Sequence, residues 1–443
     1  MSGLPFMYFK KFFSKYFNLT AKNIGIIFIA SSLANLINFF YQIIMGRLLG
    51  PSEYGVLTTL ISLLYIAGAI TGTFQISVTR NIAAYNAQNN KYKIKNFFNK
   101  VTIRFFILAC FIFILLASLL KPITSFLNME SSLPFIILGV VIILGSLNSV
   151  AAGIIQGMGR FKILGFNSIL GTSLKLLLGI LFIYLGLKSF GAVVGIMLSI
   201  VITYLIILLS VKDILRLKIS GNIDSIIDLK AFYKSTTMIL ISTILLTLIS
   251  YIDIVLVKHF FSSEATGYFS AASQIGRIIL FFPGAIGIVI FSRLSEKFEK
   301  KESLKGTFLK SYLILLVTSI LLLLLYFFFP ELITRFMYGS SFINATSKLI
   351  LLYGLFMTII GFINLQILYF ISVKKFWYLI YLFIFIAVEI VLIFNYHDTL
   401  KMVLWIEIIT SIIVFLINTI IMLMLSKTLR TSKTQINNEK LKP

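Results

Sequence analysis

The stretch Gly46-Arg-Leu-Leu-Gly50-Pro-Ser-Glu-Tyr-Gly55 follows one long apolar run and precedes another. A second stretch, Val257-Lys-His-Phe-Phe-Ser-Ser-Glu-Ala-Thr-Gly267-Tyr268, stands in the same position much later in the chain. Each reads as a short loop with a basic residue, an apolar pair, a Ser-Glu pair and a glycine at the start of the next helix. Gly55 and Gly267 are 212 residues apart, and the arginines that end the next helix, Arg80 and Arg293, are 213 apart. These agreements predict an internal repeat.

The composition decides the class of protein. Of 443 residues, 59% are apolar and only 12% are charged, with a mean hydropathy of +1.02. A soluble domain carries about 25% charged residues, so a water-soluble fold of this chain would expose large apolar patches and aggregate. The sequence therefore predicts an integral membrane protein.

Twelve apolar runs are each about long enough to cross a bilayer, which takes about 20 residues. They lie near 24–46, 55–79, 103–120, 133–156, 163–187, 189–210, 235–257, 267–291, 309–329, 347–371, 376–394 and 403–425. Because each half holds six, the two halves enter the membrane in the same direction, as a parallel repeat about an axis along the membrane normal. The chain then divides into a cytoplasmic N-terminal segment (1–23), an N-lobe (24–210), a cytoplasmic connector (211–234), a C-lobe (235–425) and a basic cytoplasmic tail (426–443).

Basic residues set the expected orientation. With the N-terminus inside, 30 Lys and Arg residues fall in inside segments, 7 in outside segments and 2 within spans. This bias follows the positive-inside rule and predicts a cell-membrane protein with both termini cytoplasmic. It also accounts for most of the net charge of +24 without nucleic acid as a partner. One cysteine and two histidines make a disulfide framework or a metal centre improbable, and no cofactor and no cleavable signal peptide are expected.

Three blocks of the sequence resemble a known family. The string from Asn35 to Gly55 resembles the opening signature of polysaccharide-biosynthesis flippases, the Wzx-type members of the multidrug/oligosaccharidyl-lipid/polysaccharide exporter superfamily. Gln156-Gly-Met-Gly-Arg-Phe-Lys162 resembles their next block, and the segment from Asp253 to Arg277 resembles the block that opens their second half. Recognisable patches run from about residue 20 to residue 310.

The resemblance implies an all-α MATE-like fold of two six-helix lobes around a central cavity that opens alternately to each side. It implies a monomer that moves polyprenyl-linked oligosaccharide from the cytoplasmic to the outer leaflet, with a polysaccharide polymerase and glycosyltransferases as partners. Two alternatives of the same fold stay open, a lipid II-type peptidoglycan-precursor flippase and a multidrug exporter. A membrane glycan transferase is a remote alternative, because the longest predicted outer loop offers only Glu331 for acid–base work.

Two cations lie inside the predicted spans, where an ionisable residue costs roughly 2.5–3.5 kcal/mol on insertion scales. Helical spacing places each on a polar stripe: Asn167, Gly171 and Lys175 on one helix, and Ser270, Ser273, Gln274 and Arg277 on another. Lys175 and Arg277 are therefore candidate ligands for a pyrophosphate or an acidic sugar in a cavity. The alternative is that each snorkels or pairs with a buried carboxylate for structural reasons.

The first span carries a further polar stripe of Ser31, Asn35, Asn38 and Gln42. Polar side chains on one helical face are costly against lipid. They serve either as interhelical hydrogen-bond partners or as hydroxyl-matching contacts for a glycan, and the sequence leaves both open.

The acids within the apolar runs are Asp253, Glu389 and Glu407, all in the second half and all toward the outer face of the predicted topology. A carrier driven by protons or sodium ions needs a carboxylate whose ionisation changes with access, and these three are candidate coupling residues. The alternative is a terminal residue in contact with headgroup water. Arg80 and Arg293, at predicted cytoplasmic helix ends, are candidate gating residues, although helix-end electrostatics also explain them.

Overall fold

The structure, a computed structural model, describes residues 4–217, 229–281, 305–373 and 378–440. Within those ranges, nine helical segments are long and apolar enough to cross a membrane. Two of them, Gly25–Ala87 and Phe161–Ser210, each contain two predicted spans. The predicted span 267–291 is described only as far as residue 281. The structure thus accounts for eleven of the twelve predicted spans as candidate membrane helices.

The chain forms two units, one of Met1–Leu49 with Val56–Thr247 and the other of Gly50–Gly55 with Leu248–Pro443. The boundary at residues 247 and 248 falls inside a helix rather than in the predicted connector 211–234, of which residues 218–228 lie outside the described ranges. The short segment Gly50–Gly55, from the first half of the sequence, packs within the second unit.

The helices of the first unit are α1 (Leu4–Ala87), α2 (Lys91–Ser118), α3 (Leu120–Phe126), α4 (Leu133–Gly157), α5 (Phe161–Phe182), α6 (Lys188–Ser210) and α7 (Lys212–Leu215). A π-helical turn, Ile183–Leu187, joins α5 to α6. Aromatic and β-branched side chains from α1, α2 and α4 form a continuous core, in which the Phe74 and Phe105 rings stack 3.9 Å apart. The opposite face of α2 exposes Ile103, Ile107, Phe111 and Ile114, each by about 60%. An apolar stripe of this kind is suited to lipid rather than water.

The boundary between the units divides α8 (Leu229–Phe260), whose part from Leu248 onward belongs to the second unit. The other helices of that unit are α9 (Ser263–Gly276), α10 (Lys305–Phe328), α11 (Pro330–Tyr338), α12 (Ile343–Ser372), α13 (Tyr378–Asn395) and α14 (Leu400–Lys440). A 3₁₀ turn, Arg277–Leu280, continues α9. The helix α12 is the central element, since it packs against α9, α10, α11 and α14. It accordingly has the largest buried share of the candidate spans.

The predicted loop between the first two spans is shortened to a sharp break at Gly50, where the two helices that make up α1 meet. The φ of Gly50, 70°, is in the left-handed region that glycine adopts without steric cost. Pro51 follows at the start of the resumed helix, where its missing N–H is not needed. In the corresponding stretch of the second half the helix ends, and Ser262 caps α9 by accepting a hydrogen bond from the Ala265 N–H at 3.2 Å.

The glycines that the repeat aligns, Gly55 and Gly267, meet within the second unit. A Cβ atom added to Gly267 would overlap the Pro51 carbonyl oxygen and lie 2.7 Å from its carbonyl carbon. A Cβ atom added to Gly55 would overlap the Ser263 carbonyl oxygen and lie 2.8 Å from the Gly267 nitrogen. Each glycine thus faces the backbone of the residue four positions before the other, and only a residue without a side chain permits this approach.

Gly267→Ala should lower the thermal unfolding temperature of the purified protein, because the backbone atoms it meets cannot rotate away. Overpacking of this kind costs about 1–3 kcal/mol. Gly68→Ala is the matched control, since Gly68 is also helical but has open space around its Cβ position. An unfolding temperature for Gly267→Ala equal to that of the control would contradict the close approach.

An ion pair links α7 to the turn between α4 and α5, outside the candidate spans. Arg160 forks onto the Asp213 carboxylate, with nitrogen–oxygen distances of 2.6 and 3.3 Å. These hydrogen bonds hold the pKa of Asp213 below its ordinary value. The contribution of the pair to stability is therefore present above that ordinary value and is lost as the pH falls through the lowered one. Since both side chains are partly exposed, it amounts to about 1 kcal/mol or less.

Candidate functional site

Lys175 on α5 is bound by two neutral groups of α1. Its ammonium donates a hydrogen bond to Asn38 Oδ1 at 3.1 Å and lies 4.1 Å from the centre of the Tyr41 ring. Asn38 and Tyr41 are three residues apart, so they present their side chains on the same face of α1. A ring face within about 6 Å attracts a cation through its quadrupole. The two helices thus hold the ammonium in place without neutralising it.

The contacts of the Lys175 ammonium in the described part of the chain contain no carboxylate. Its side chain is half-buried, and it stands in the middle of the predicted span 163–187. A cation in that position is costly unless an anion or water compensates it. The described contacts therefore leave the charge of Lys175 without a compensating carboxylate.

Only part of the predicted polar stripe of the first span contacts Lys175. Asn38 contacts it, Gln42 is buried at 4% exposure, and Asn35 is exposed. On the same helix as the lysine, Asn167 is buried, and its Oδ1 has no hydrogen-bond partner in the described part of the chain.

Tyr41 is the residue at this site that sequence reasoning missed. It is fully buried, and its hydroxyl has no hydrogen-bond partner among the described residues. Its position three residues after Asn38 was the available signal, but an aromatic residue in an apolar run is ordinarily interpreted as core.

Arg277 opens the 3₁₀ turn after α9 in the second unit, and several groups fix its guanidinium. Nε donates to Ser273 Oγ at 3.0 Å, Nη2 donates to the Ser250 carbonyl oxygen, and the guanidinium carbon lies 4.3 Å from the centre of the Tyr251 ring. The predicted polar stripe of α9 is thus used in part by an internal hydrogen bond, through Ser273. Gln274, next on that stripe, is half-buried.

Tyr353 of α12 links Arg277 to a buried acid. Its hydroxyl donates a hydrogen bond to Asp253 Oδ2 and also interacts with the guanidinium. The Tyr353 ring is fully buried and packs edge-on against Phe269 and Phe356. Sequence reasoning missed this tyrosine too, because its partners come from α8 and from the 3₁₀ turn.

The three acids of the apolar runs converge in the second unit. Asp253 comes from α8, Glu389 from α13 and Glu407 from α14, with exposures of 1%, 5% and 0%. Their charges act on one another, and Arg277 acts on Asp253 and Glu407. Four of their oxygens lack a hydrogen-bond partner among the described residues, namely Asp253 Oδ1, Glu389 Oε1 and both oxygens of Glu407. We call these three acids the carboxylate cluster.

Of the two predicted gating arginines, the structure describes one. Arg80 is exposed on α1, and the helix continues past it to Ala87 rather than ending there. Arg293 lies outside the described residues.

Comparison with known proteins agrees with the fold. A family model described as "Polysaccharide biosynthesis protein" matches residues 20–298. A curated relative, the "Putative O-antigen transporter" of Shigella flexneri, is 24% identical over 327 residues, which cover 72% of this chain and 77% of that protein.

Solved structures show the same fold at low sequence identity. An inward-facing structure of a multidrug resistance MATE family transporter of the MOP superfamily is 17% identical, with a TM-score of 0.74, and the match covers 90% of this chain and 96% of that one. An outward-facing structure of such a transporter is 19% identical, with a TM-score of 0.62, and the match covers 92% of this chain and 96% of that one. The predicted fold class, an all-α multi-pass fold of the MATE type, is confirmed. The chain belongs to the polysaccharide biosynthesis protein family and is a multi-pass membrane transporter of the flippase type, not an enzyme.

Proposed function

We propose that this transporter flips polyprenyl-(di)phosphate-linked oligosaccharide repeat units from the cytoplasmic to the outer leaflet of the cell membrane, for surface polysaccharide synthesis. The observation that carries the proposal is the Lys175 ammonium, held at mid-span by an amide oxygen and a ring face. A phosphate oxygen carries the negative charge that these neutral groups lack, so it accepts a stronger, charge-assisted hydrogen bond from the ammonium. The family and the O-antigen transporter relative support the same substrate class.

In this mechanism the protein alternates between two access states, with both termini in the cytoplasm. Lys175 stays bound to the phosphate group as the access state changes, while the amides of Asn35, Asn38 and Gln42 contact sugar hydroxyls. A site that hydrogen-bonds hydroxyl groups discriminates strongly against ligands that lack them. The lysine thus selects the headgroup charge and the amides select the glycan.

A cationic drug is the runner-up substrate, since carboxylates attract cations. The carboxylate cluster is at most 5% exposed, however, and the Arg277 guanidinium lies in its field. The low exposure and the nearby positive charge favour interactions of these acids within the protein over contact with a bulky drug. A peptidoglycan precursor shares the polyprenyl diphosphate, so only the glycan distinguishes it.

Reconstituted proteoliposomes test the proposal directly. Three fluorescent probes would be compared: an undecaprenyl diphosphate-linked oligosaccharide, lipid II and a cationic dye. We expect the oligosaccharide probe to exchange between leaflets at least about tenfold faster than in protein-free vesicles, with lipid II slower and the dye not transported. Faster movement of lipid II or of the dye would replace the proposed substrate with that one.

A further inference from the structure

The short helix α11 follows directly on the candidate span of α10. Only Phe329 separates the two helices, and Pro330 begins α11 where its missing N–H is not needed. Proline disfavours helical backbone at the residue before it, so the chain turns at Phe329. The span Phe308–Phe328 has 21 residues, and at about 1.5 Å per residue it matches the hydrocarbon thickness of roughly 30 Å. α11 therefore begins at the membrane boundary, on the side that the predicted topology places outside.

One face of α11 is held by the rest of the second unit. Thr334, Met337 and Tyr338 are buried, and the helix packs against α12. The Tyr338 hydroxyl lies 3.2 Å from the Tyr54 hydroxyl, and the Tyr338 ring packs against Phe342. These contacts fix the rotation of α11 about its own axis and so determine what its opposite face presents.

The opposite face of α11 is apolar and exposed. Leu332 and Phe336, one turn apart, are 65% and 78% exposed, and no other large apolar side chain in the described ranges is more exposed than Phe336. The aromatic residues just before the helix, Phe327, Phe328 and Phe329, are each more than half exposed. Exposed apolar surface of this extent marks an interaction site for a membrane or a protein.

A charged edge lies between these two faces. Glu331 and Arg335, also one turn apart, are exposed, and helical spacing places both between the buried face and the apolar face. α11 thus has three faces, suited to protein, to hydrocarbon and to water. These three surroundings meet where a protein emerges from a bilayer, and an amphipathic helix in that position buries its apolar face by about 5–10 Å.

We propose that α11 is an interfacial helix that binds phospholipid of the leaflet that the predicted topology places outside. Leu332 and Phe336 enter the edge of the acyl layer, while Glu331 and Arg335 face the water above it. Lipid is the partner that the position of the helix selects, because the apolar face begins where the span ends. The lipid contact is independent of the transported substrate.

Spin labels in the full-length protein, reconstituted in phosphatidylethanolamine–phosphatidylglycerol vesicles, test the assignment. In a Cys110→Ser background, Leu332→Cys and Phe336→Cys carry the label on the apolar face, and Glu331→Cys carries it on the charged edge. We expect the apolar-face labels to collide with oxygen but not with a water-soluble nickel chelate, at a depth of about 5–10 Å. The edge label should be open to the chelate. Phe111→Cys, at an exposed position in the middle of α2, is the matched control and should lie about 15 Å deep, half of the hydrocarbon thickness.

Three results would overturn the proposal. Equal access of the nickel chelate to the apolar face and to the charged edge would place the whole helix in water. Protection of the apolar-face labels from both reagents would mean that protein covers that face, and a depth equal to that of the α2 control would mean that the helix is not interfacial.

A tryptophan gives a second measurement that keeps the native cysteine. The fluorescence added by Phe336→Trp should be quenched by brominated phospholipid and not by iodide, and the reverse pattern would overturn the proposal equally. Because no lipid-linked oligosaccharide is present in either experiment, failure here leaves the proposed flippase function intact.

Discussion

Lys175→Gln should slow flipping of a polyprenyl diphosphate-linked oligosaccharide by about ten- to a hundredfold. A hydrogen bond to a charged group contributes about 1.5–3 kcal/mol, and each 1.4 kcal/mol is a factor of ten. Glutamine is one bond shorter and keeps a neutral N–H donor, but it brings no charge to the phosphate. Lys175→Arg keeps the charge over the Tyr41 ring and should retain part of the activity. Leaflet exchange of a fluorescent substrate in proteoliposomes is the measurement.

The matched control for this substitution is Lys162→Gln on the same helix. Lys162 is exposed at the start of α5, so its loss should leave the flipping rate within about twofold. Membrane insertion and protein amount must be equal for all variants. Wild-type flipping by Lys175→Gln would remove this lysine from the substrate site and leave it with a structural contact to α1.

The sequence was sufficient to predict eleven of the twelve spans, because they rest on the cost of placing charge and backbone in lipid. It was insufficient to show that the first two helices meet directly at Gly50. Gly50 and Pro51 predict an interruption, but whether a loop separates the two helices there depends on what packs against it. The matched positions of Gly55 and Gly267 predicted the repeat. That neither position has room for a side chain could not be predicted, because it depends on how closely the two backbone segments approach each other in the folded protein.

At the candidate sites as well, the sequence predicted single residues but not their tertiary contacts. Asp253, Glu389 and Glu407 were identified one by one as acids in apolar runs, but their convergence depends on how α8, α13 and α14 pack. Arg277 was predicted to meet a substrate anion, and that role stays a prediction. Tyr41 and Tyr353 were missed because an aromatic residue in an apolar run is ordinarily interpreted as core, and a ring face or a buried hydroxyl acquires its role only from a distant partner.

Neutralising Glu389 and Glu407 together should abolish the response of transport to a pH gradient, because the sequence predicts these buried acids as coupling residues. One pH unit is worth about 1.36 kcal/mol per proton, so two protons per substrate would sustain a leaflet ratio of about a hundredfold at that gradient. Glu407→Gln should reduce the ratio to about tenfold. The double variant Glu389→Gln with Glu407→Gln should give a ratio of one while still equilibrating the substrate. The steady-state distribution of a labelled substrate, with and without an imposed gradient, is the measurement.

This result would distinguish coupling from substrate binding, since Lys175→Gln should slow equilibration without changing the final ratio. A ligand shifts a conformational equilibrium only by its difference in affinity for the two states. The protons can therefore drive transport only if Glu389 and Glu407 release them more readily in one access state than in the other. Glu331→Gln is the control acid and should keep the hundredfold ratio. If the double variant keeps it as well, the buried acids serve only the structure, and the driving force enters elsewhere.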